Sequence, residues 1–260
     1  MKYIRENFNS IQEMLNALKI RKNNSVMSDK FQSQSTDNSN WYRTNSYEEA
    51  EHLITNGYID ILDKIKKGIK FKSTENSKTM PENNVFGYIP NVPNAIMNLP
   101  KSMVYEKRVP RKINTIDLVY SPCAPGVTDS KEYIENGIKV LNIINSLELN
   151  NIRISLKVAM KCSSCNNEFT LATVTIKNYT EKLNLQKICF PIAHPSMQRR
   201  FGFKWLETHP DVNSFGWANG YGSTSTEYPK TNSKEIIFGL TQIRNLNEEE
   251  IINKFIIKER

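Results

Sequence analysis

Residues 113–178 decide the fold, and they open with INTIDLVYSPCAPG (113–126). The first eight residues are mostly β-branched or aromatic, which predicts a buried strand. Two prolines and a glycine then end the strand, because they cannot continue a hydrogen-bonded ladder. Asp129 and Glu132 form a capping-box pattern, so we expect a helix to begin near Ser130.

The rest of this stretch predicts one helix and two further strands. From Tyr133 to Leu149 the apolar residues return at helical spacing, in a stripe wide enough to pack on a sheet. Residues 152–160 and, more loosely, 168–176 alternate as strands do. The turn between them predicts a hairpin. The sequence therefore predicts a β-α-β unit with parallel strands, and an antiparallel edge strand contributed by the hairpin.

This order of elements resembles the opening of a von Willebrand factor A-type domain. The first strand of that family ends in a metal-binding Asp-x-Ser-x-Ser motif, which this chain matches with Asp117 and Ser121 but not with Val119. A predicted strand at 235–241 and the helix after it resemble the last strand and helix of such a domain. The resemblance implies an α/β fold with a mostly parallel, Rossmann-like sheet, helices on both faces and an antiparallel edge hairpin.

The chain is also similar to uncharacterised bacteriophage proteins. These join a short helical region, here 41–57, to such a domain carrying a His-Pro-x-x-x-Arg-Arg segment, here 194–200. This similarity implies a phage or prophage protein that acts in virion assembly or host interaction.

Three regions are expected along the chain. Residues 1–72 form a helical N-terminal region, with helices at 9–22, 46–57 and 58–67 and a polar linker at 23–40. These short helices need the main domain or a partner to pack on. Residues 73–110 are an extended, proline-rich connection laid across a surface by its apolar side chains, with an edge strand at 103–105. Residues 111–260 form the α/β domain.

Three expectations concern the later part of that domain. Residues 187–193 are an apolar run, which predicts a buried strand. Pro195 fits the first turn of a helix over 195–207. Residues 209–229 are rich in Gly, Ser, Asn and Tyr, which predicts a long irregular connection.

Composition bounds the class of protein. A chain of 260 residues with 38% hydrophobic residues can bury a sizeable core, and its net charge of +8 is spread along the sequence. No apolar run is long enough to span a membrane, and charged residues near the N-terminus differ from a signal peptide. Four cysteines in a chain of this length favour a reducing compartment. We expect a protein of the host cytoplasm or of the virion.

Two metal sites are conceivable, although no cofactor is expected. Asp117 and Ser121 offer hard oxygen ligands that suit Mg²⁺, whereas the alternative is that Asp117 is a structural acid. Cys162 and Cys165 have the spacing of half a zinc site, but the sequence shows no second half.

Three groups of polar residues are candidate sites. His194 could be a general base or a structural residue at a helix start. Arg199 and Arg200 could bind phosphate or form a partly buried, salt-bridged pair. The third group is a lysine cluster that could bind nucleic acid or be a solvated face; it comprises Lys64, Lys66, Lys67, Lys70 and Lys72.

Three functions fit these observations. The first is a non-catalytic protein-binding module that offers the loops at the carboxyl ends of its strands to a phage or host protein. The second is nucleic-acid binding through the lysine cluster. The third is a metal-dependent hydrolase built on Asp117. The sequence favours the first.

Overall fold

The computed structural model describes residues 2–22, 32–37, 39–69, 79–108, 114–150, 152–163, 168–214, 235–245, 247 and 249–250. The strands are β1 (Lys2–Phe8), β2 (Thr79–Asn84), β3 (Ile89–Pro90), β4 (Met103–Arg108), β5 (Asn114–Ser121), β6 (Ile152–Ser163), β7 (Glu168–Lys177) and β8 (Glu235–Gly239). The helices are α1 (Ile11–Ile20), α2 (Ser39–Tyr42), α3 (Tyr47–Asn56), α4 (Ile59–Gly68), α5 (Val92–Ile96), α6 (Ser130–Leu149), α7 (Leu185–Ala193), α8 (Phe203–Thr208) and α9 (Leu240–Asn245).

The main sheet has five strands in the order β1-β7-β6-β5-β8. β5 runs parallel to β6 and to β8, and β7 runs antiparallel to β6, so the predicted β-α-β unit and hairpin are confirmed. The prediction that β7 is an edge strand is wrong, because β1 pairs with it in parallel from Lys2 to Phe8. The fold is therefore mixed α/β with a mainly parallel sheet.

The larger hydrophobic core lies on the face of the sheet that Leu118 and Tyr120 share. Apolar side chains of α1, α3, α4, α6, α7, α8 and α9 all belong to this core. Val119 points the other way, as strand alternation requires, and is buried with Ala159, Phe169 and Leu171 in a small second cluster. These seven helices thus pack on one face, and a helical layer on the second face stays a prediction.

The N-terminal helices α1, α3 and α4 pack on the main domain, as expected for helices too short to be stable alone. The capping boxes that begin α1 and α3 are complete: Ser10 accepts from the Glu13 N–H while Glu13 accepts from the Asn9 N–H. Ser46 and Glu49 repeat the arrangement at the start of α3. At α6, by contrast, the Asp129 side chain makes no capping bond, although the helix begins where expected.

Two expectations for the second half of the chain need correction. Residues 187–193 lie in α7 instead of a strand, because a short apolar run fits a helix buried on all sides equally well. The helix expected over 195–207 begins with a π-helical segment, Met197–Gly202, before it continues as α8. The irregular connection expected at 209–229 starts with a 3₁₀ turn, Pro210–Ser214, and its remainder lies outside the described residues.

The proline-rich connection folds into a structure of its own. β4 lies between β2 and β3 in a three-stranded antiparallel sheet, so the strand expected at an edge is the central one. The helix α5 follows β3, with Asn91 as its N-cap. None of the described helices is both long and apolar enough to cross a bilayer.

Candidate binding surfaces

Asp117 and Ser121 both lie within strand β5, instead of in a loop after it. Four residues of extended strand separate them by roughly 13 Å, which is too far for one ion to bind both side chains. Asp117 accepts a hydrogen bond from the Tyr179 hydroxyl and lies 3.8 Å from Lys157 Nζ. The structure therefore does not bring the two proposed magnesium ligands together.

Cys162 lies in a buried cluster with Cys123 and the Gln198 amide. Gln198 Oε1 is 2.8 Å from Cys123 Sγ, and its Nε2 donates to Cys162 Sγ at 3.2 Å. Burial raises the pKa of both thiols, so both remain protonated at neutral pH. Cys165, the other half of the predicted zinc pair, lies outside the described residues. Among the described residues, no group of three His, Cys, Asp or Glu side chains could hold a metal ion.

His194 is a buried residue at the C-terminal end of α7. Its ring stacks on Phe190 with a centroid separation of 4.6 Å, and its Nδ1 accepts from the Ser196 N–H. Burial lowers the pKa of His194 to about 3, so the ring is neutral and holds the start of the next helical segment. The structure places it in a structural role.

Arg200 is fully buried in the π-helical segment. Its guanidinium donates to the carbonyl oxygens of Ser33, Ser35 and Thr44 and lies 3.8 Å from the centre of the Tyr42 ring. Among the described residues neither arginine forms the expected salt bridge, and backbone carbonyl oxygens accept the hydrogen bonds of both guanidinium groups.

Arg199 points from the same segment to the carboxyl edge of the sheet. It donates to the Trp41 carbonyl oxygen and, at 3.5 and 3.4 Å, to those of Pro125 and Gly126 in the loop after β5. Its guanidinium also lies 4.5 Å from the centre of the Trp41 ring. Arg199 therefore ties the N-terminal region to the loop between β5 and α6.

A pocket of about 380 Å³ opens beside Arg199. Its position outside the carboxyl end of a central parallel strand is where open α/β sheets commonly bind ligands. A π-helical segment, which is frequent at functional sites, forms part of its wall. The walls are Asn40, Trp41, Arg43, Gly126, Val127, Thr128, Asp129, Ser130, Pro195 and Arg199.

The lysine cluster is partly described. Lys64, Lys66 and Lys67 are exposed on α4, opposite the buried residues Ile61 and Ile65. Such a distribution is typical of the solvated face of an amphipathic helix. Lys70 and Lys72 lie outside the described residues.

Residues 79–108, which contain the three-stranded sheet and α5, expose many large apolar side chains, and we call this segment the apolar arm. Ile96 is 80% exposed, Val85 68% and Phe86 63%. Of the fourteen exposed large hydrophobic residues in the described part of the chain, ten belong to the arm, and neither core cluster contains them. They are Met80, Val85, Phe86, Tyr88, Ile89, Val92, Ile96, Met97, Leu99 and Tyr105.

Comparison with known proteins gives one match. A family model described as "Domain of unknown function (DUF7192)" matches residues 2–259. The chain belongs to this family. No curated protein and no solved structure matches it.

Sequence reasoning noticed the apolar residues of this DUF7192 chain at 86–97 but expected them to hold the segment against a surface. The sequence contained one indication of this exposure, since Asn83 to Pro100 contains no Lys, Arg, His, Asp or Glu and includes three prolines. No feature of the sequence indicated the pocket. Arg43 lines it from a position with a backbone φ of 60°, a left-handed conformation that no residue pattern predicted.

Proposed function

We propose that this DUF7192 protein is a non-catalytic protein-binding module that holds its partner on the apolar arm. The observation that carries the proposal is the concentration of exposed apolar side chains within residues 79–108, on the strands, on α5 and in the turns between them. Exposed patches of this kind mark interaction sites, because leaving such a surface in water is unfavourable.

The size of the surface fits a protein partner. Ten exposed side chains, each presenting on the order of 100 Å², amount to roughly 1,000 Å². A standard protein interface takes about 800 Å² from each side. The total apolar area that the arm exposes is therefore of the size that one side of a protein interface takes.

The chemistry of the apolar arm selects the kind of partner. Its apolar stretch, 83–100, contains no Lys, Arg, Asp or Glu. An anionic membrane surface attracts basic side chains, which this stretch lacks. An apolar groove without buried charge on another protein is the matching surface, because neither side then buries an unpaired ion.

The apolar arm is also preorganised for binding. Its asparagine side chains bond within the arm, with Asn91 Nδ2 donating to Asn83 Oδ1 and Asn94 Nδ2 donating to the Lys101 carbonyl oxygen. Tyr88 donates its hydroxyl to Glu106. Because these polar groups are satisfied, a partner meets a shaped apolar surface and orders few groups on binding.

The candidate catalytic groups support a role without catalysis. His194 is buried and neutral, and Asp117 is engaged by Tyr179 and Lys157. A general base has to reach a substrate proton, which neither side chain is placed to do.

The proposal includes a von Willebrand A-like domain and a phage or prophage origin. Strand β5, helix α6, strand β6 and antiparallel strand β7 follow the order of elements that opens a von Willebrand A-like domain. Together with the similarity to bacteriophage proteins, this supports a phage or prophage protein whose partner is a phage or host protein. Its place would be virion assembly or host interaction, in the host cytoplasm or in the virion.

Site-specific photo-crosslinking tests the proposal and finds the partner. We would place a photoreactive amino acid at Phe86, at Ile96 or, as a control, at Ile20, which is 82% exposed on α1. The two arm positions should give the same protein adduct in cells that make the protein, and the Ile20 position should not. Adducts equally abundant at all three positions would contradict the proposal. An adduct with a second copy of this chain would contradict a different protein as the partner.

A further inference from the structure

Arg199 carries a buried charge without a matching carboxylate. Arg199 is only 4% exposed, and its hydrogen-bond partners are three backbone carbonyl oxygens and, at 3.4 Å, the Tyr133 hydroxyl. Its guanidinium also lies over the rings of Trp41 and Tyr133. No Asp or Glu of the described residues forms an ion pair with it. Buried charges in proteins are normally paired or neutralised, so this arrangement leaves room for an anion.

A second guanidinium faces the same pocket. Arg43 lines it together with Arg199. Burial lowers the pKa of Arg199, Tyr133 opposes this, and the positive charge of Arg43 lowers the pKa further. Two like charges beside one pocket repel each other unless a negative charge lies between them.

The acid in the pocket wall does not remove this surplus. Asp129 Oδ1 lies 3.6 Å from Arg43 Nη2, and the two side chains are 68% and 46% exposed respectively. Asp129 also accepts a hydrogen bond from the Ser130 hydroxyl. Exposed pairs of this kind contribute little, so Arg43 can turn to a ligand at small cost. Arg199 forms no ion pair with Asp129 in the structure.

We propose that the pocket between Trp41, Arg43, Arg199 and the loop 126–130 binds an oxyanion, the phosphate or carboxylate group of a ligand. Arg43 supplies charge-assisted hydrogen bonds at the mouth, and Arg199 supplies the charge beneath it. A pocket of about 380 Å³ admits a small anion or one anionic group of a larger ligand.

This site is independent of the apolar arm. The two share no residue, and a failure of either proposal leaves the other intact.

Titration with simple anions tests the site on the full chain. Sodium phosphate and sodium acetate are added separately, with sodium chloride at matched ionic strength as the reference. The readout is the indole N–H signal of Trp41 in a ¹H–¹⁵N spectrum, assigned with Trp41→Phe. The variant is Arg43→Gln, whose exposed position spares the fold, and the matched control is Arg153→Gln, an exposed arginine on β6.

We expect a saturable shift of the Trp41 signal with phosphate, with acetate or with both. The anion that binds more tightly identifies the phosphate or the carboxylate as the natural group. Arg43→Gln should raise the dissociation constant of the anion about tenfold, whereas Arg153→Gln should leave it unchanged. A response to both anions no different from that to chloride, or equal affinity in Arg43→Gln and wild type, overturns the proposal.

Discussion

Arg200 donates from Nη1 to the Ser33 carbonyl oxygen at 2.9 Å, although 167 residues separate them in the chain. Glu207, one helical turn beyond the π-helical segment, accepts from the Ser33 N–H at 2.9 Å. Both backbone polar groups of Ser33 are therefore held by buried side chains from one helical region. This clasp fixes residues 32–37, within a stretch that resembled a polar linker, to the main domain.

Replacing Arg200 should destabilise the protein. Arg200→Ala removes the donor from the buried carbonyl oxygens of Ser33 and Thr44 and from the partly buried one of Ser35. Each buried oxygen left without a donor costs about 1–3 kcal/mol, so we expect a loss of at least about 2 kcal/mol in the free energy of unfolding. Urea unfolding measures it, with the exposed Arg153→Ala as the control, expected to change by less than about 0.5 kcal/mol. A loss below about 1 kcal/mol for Arg200→Ala would show that the clasp is not structural.

His194 should make the protein less stable in acid. Its pKa is about 3 when folded, because burial disfavours the charged ring, and about 6.5 when unfolded. Between these values the unfolded state binds the extra proton, so the free energy of unfolding falls as pH drops from about 6.5 and is unaffected by this residue above it. The contribution approaches about 1.4 kcal/mol per pH unit.

The matching variant is His194→Gln, which can still accept from the Ser196 N–H but does not titrate. Urea unfolding at pH 7, 6, 5 and 4.5 should give a shallower pH dependence for this variant than for wild type. Identical slopes in the two proteins would refute the assignment of a neutral, buried ring.

The buried thiols should be protected in the folded protein. Burial raises the pKa of Cys123 and Cys162, and raises that of Cys189 to about 12. In a Cys165→Ser variant, the three remaining thiols should react with an aromatic disulfide reagent at pH 8 at least 100-fold more slowly than in urea. Fast reaction of any of the three without denaturant would contradict the burial of that thiol.

Gly57 should not tolerate a side chain. Its φ is 94°, and a Cβ there would lie 2.4 Å from Gln186 Cγ. Gly57→Ala should cost roughly 1–3 kcal/mol, whereas Asn56→Ala, on the exposed end of α3, should cost less than about 1 kcal/mol. Chemical unfolding of the two variants decides this, and equal stabilities would mean that the end of α3 rearranges freely.

The sequence predicted the parts of the fold that depend on local pattern. Ser10 and Ser46 indicate the starts of α1 and α3, and Gly57 indicates the end of α3, because capping interactions involve residues only a few positions apart. Residues 187–193 were predicted as a strand but form part of α7, because a buried helix and a buried strand present the same apolar run. Strand β1 was missed because only Ile4 and Phe8 of its residues are buried apolar side chains.

The candidate sites were harder to foresee because they depend on long-range contacts. Nothing near Arg199 in the sequence indicates that it would meet Trp41 and the loop after β5. In the apolar arm the apolar residues could be identified from the sequence, but their exposure could not. Its three short strands pair through backbone hydrogen bonds, and this pairing does not by itself cover their side chains. Exposure is decided by what the rest of the chain covers.

The measurement that most directly tests the central claim is the affinity of the purified partner, identified by crosslinking at Ile96, for three forms of the full chain. The account predicts that the double variant Phe86→Ser/Met97→Ser raises the dissociation constant at least tenfold, because it removes two apolar side chains of the binding surface. The fold should stay intact, since both side chains are exposed. Ile20→Ser should bind as wild type does. Wild-type affinity in the double variant would contradict the claim that the apolar arm holds the partner.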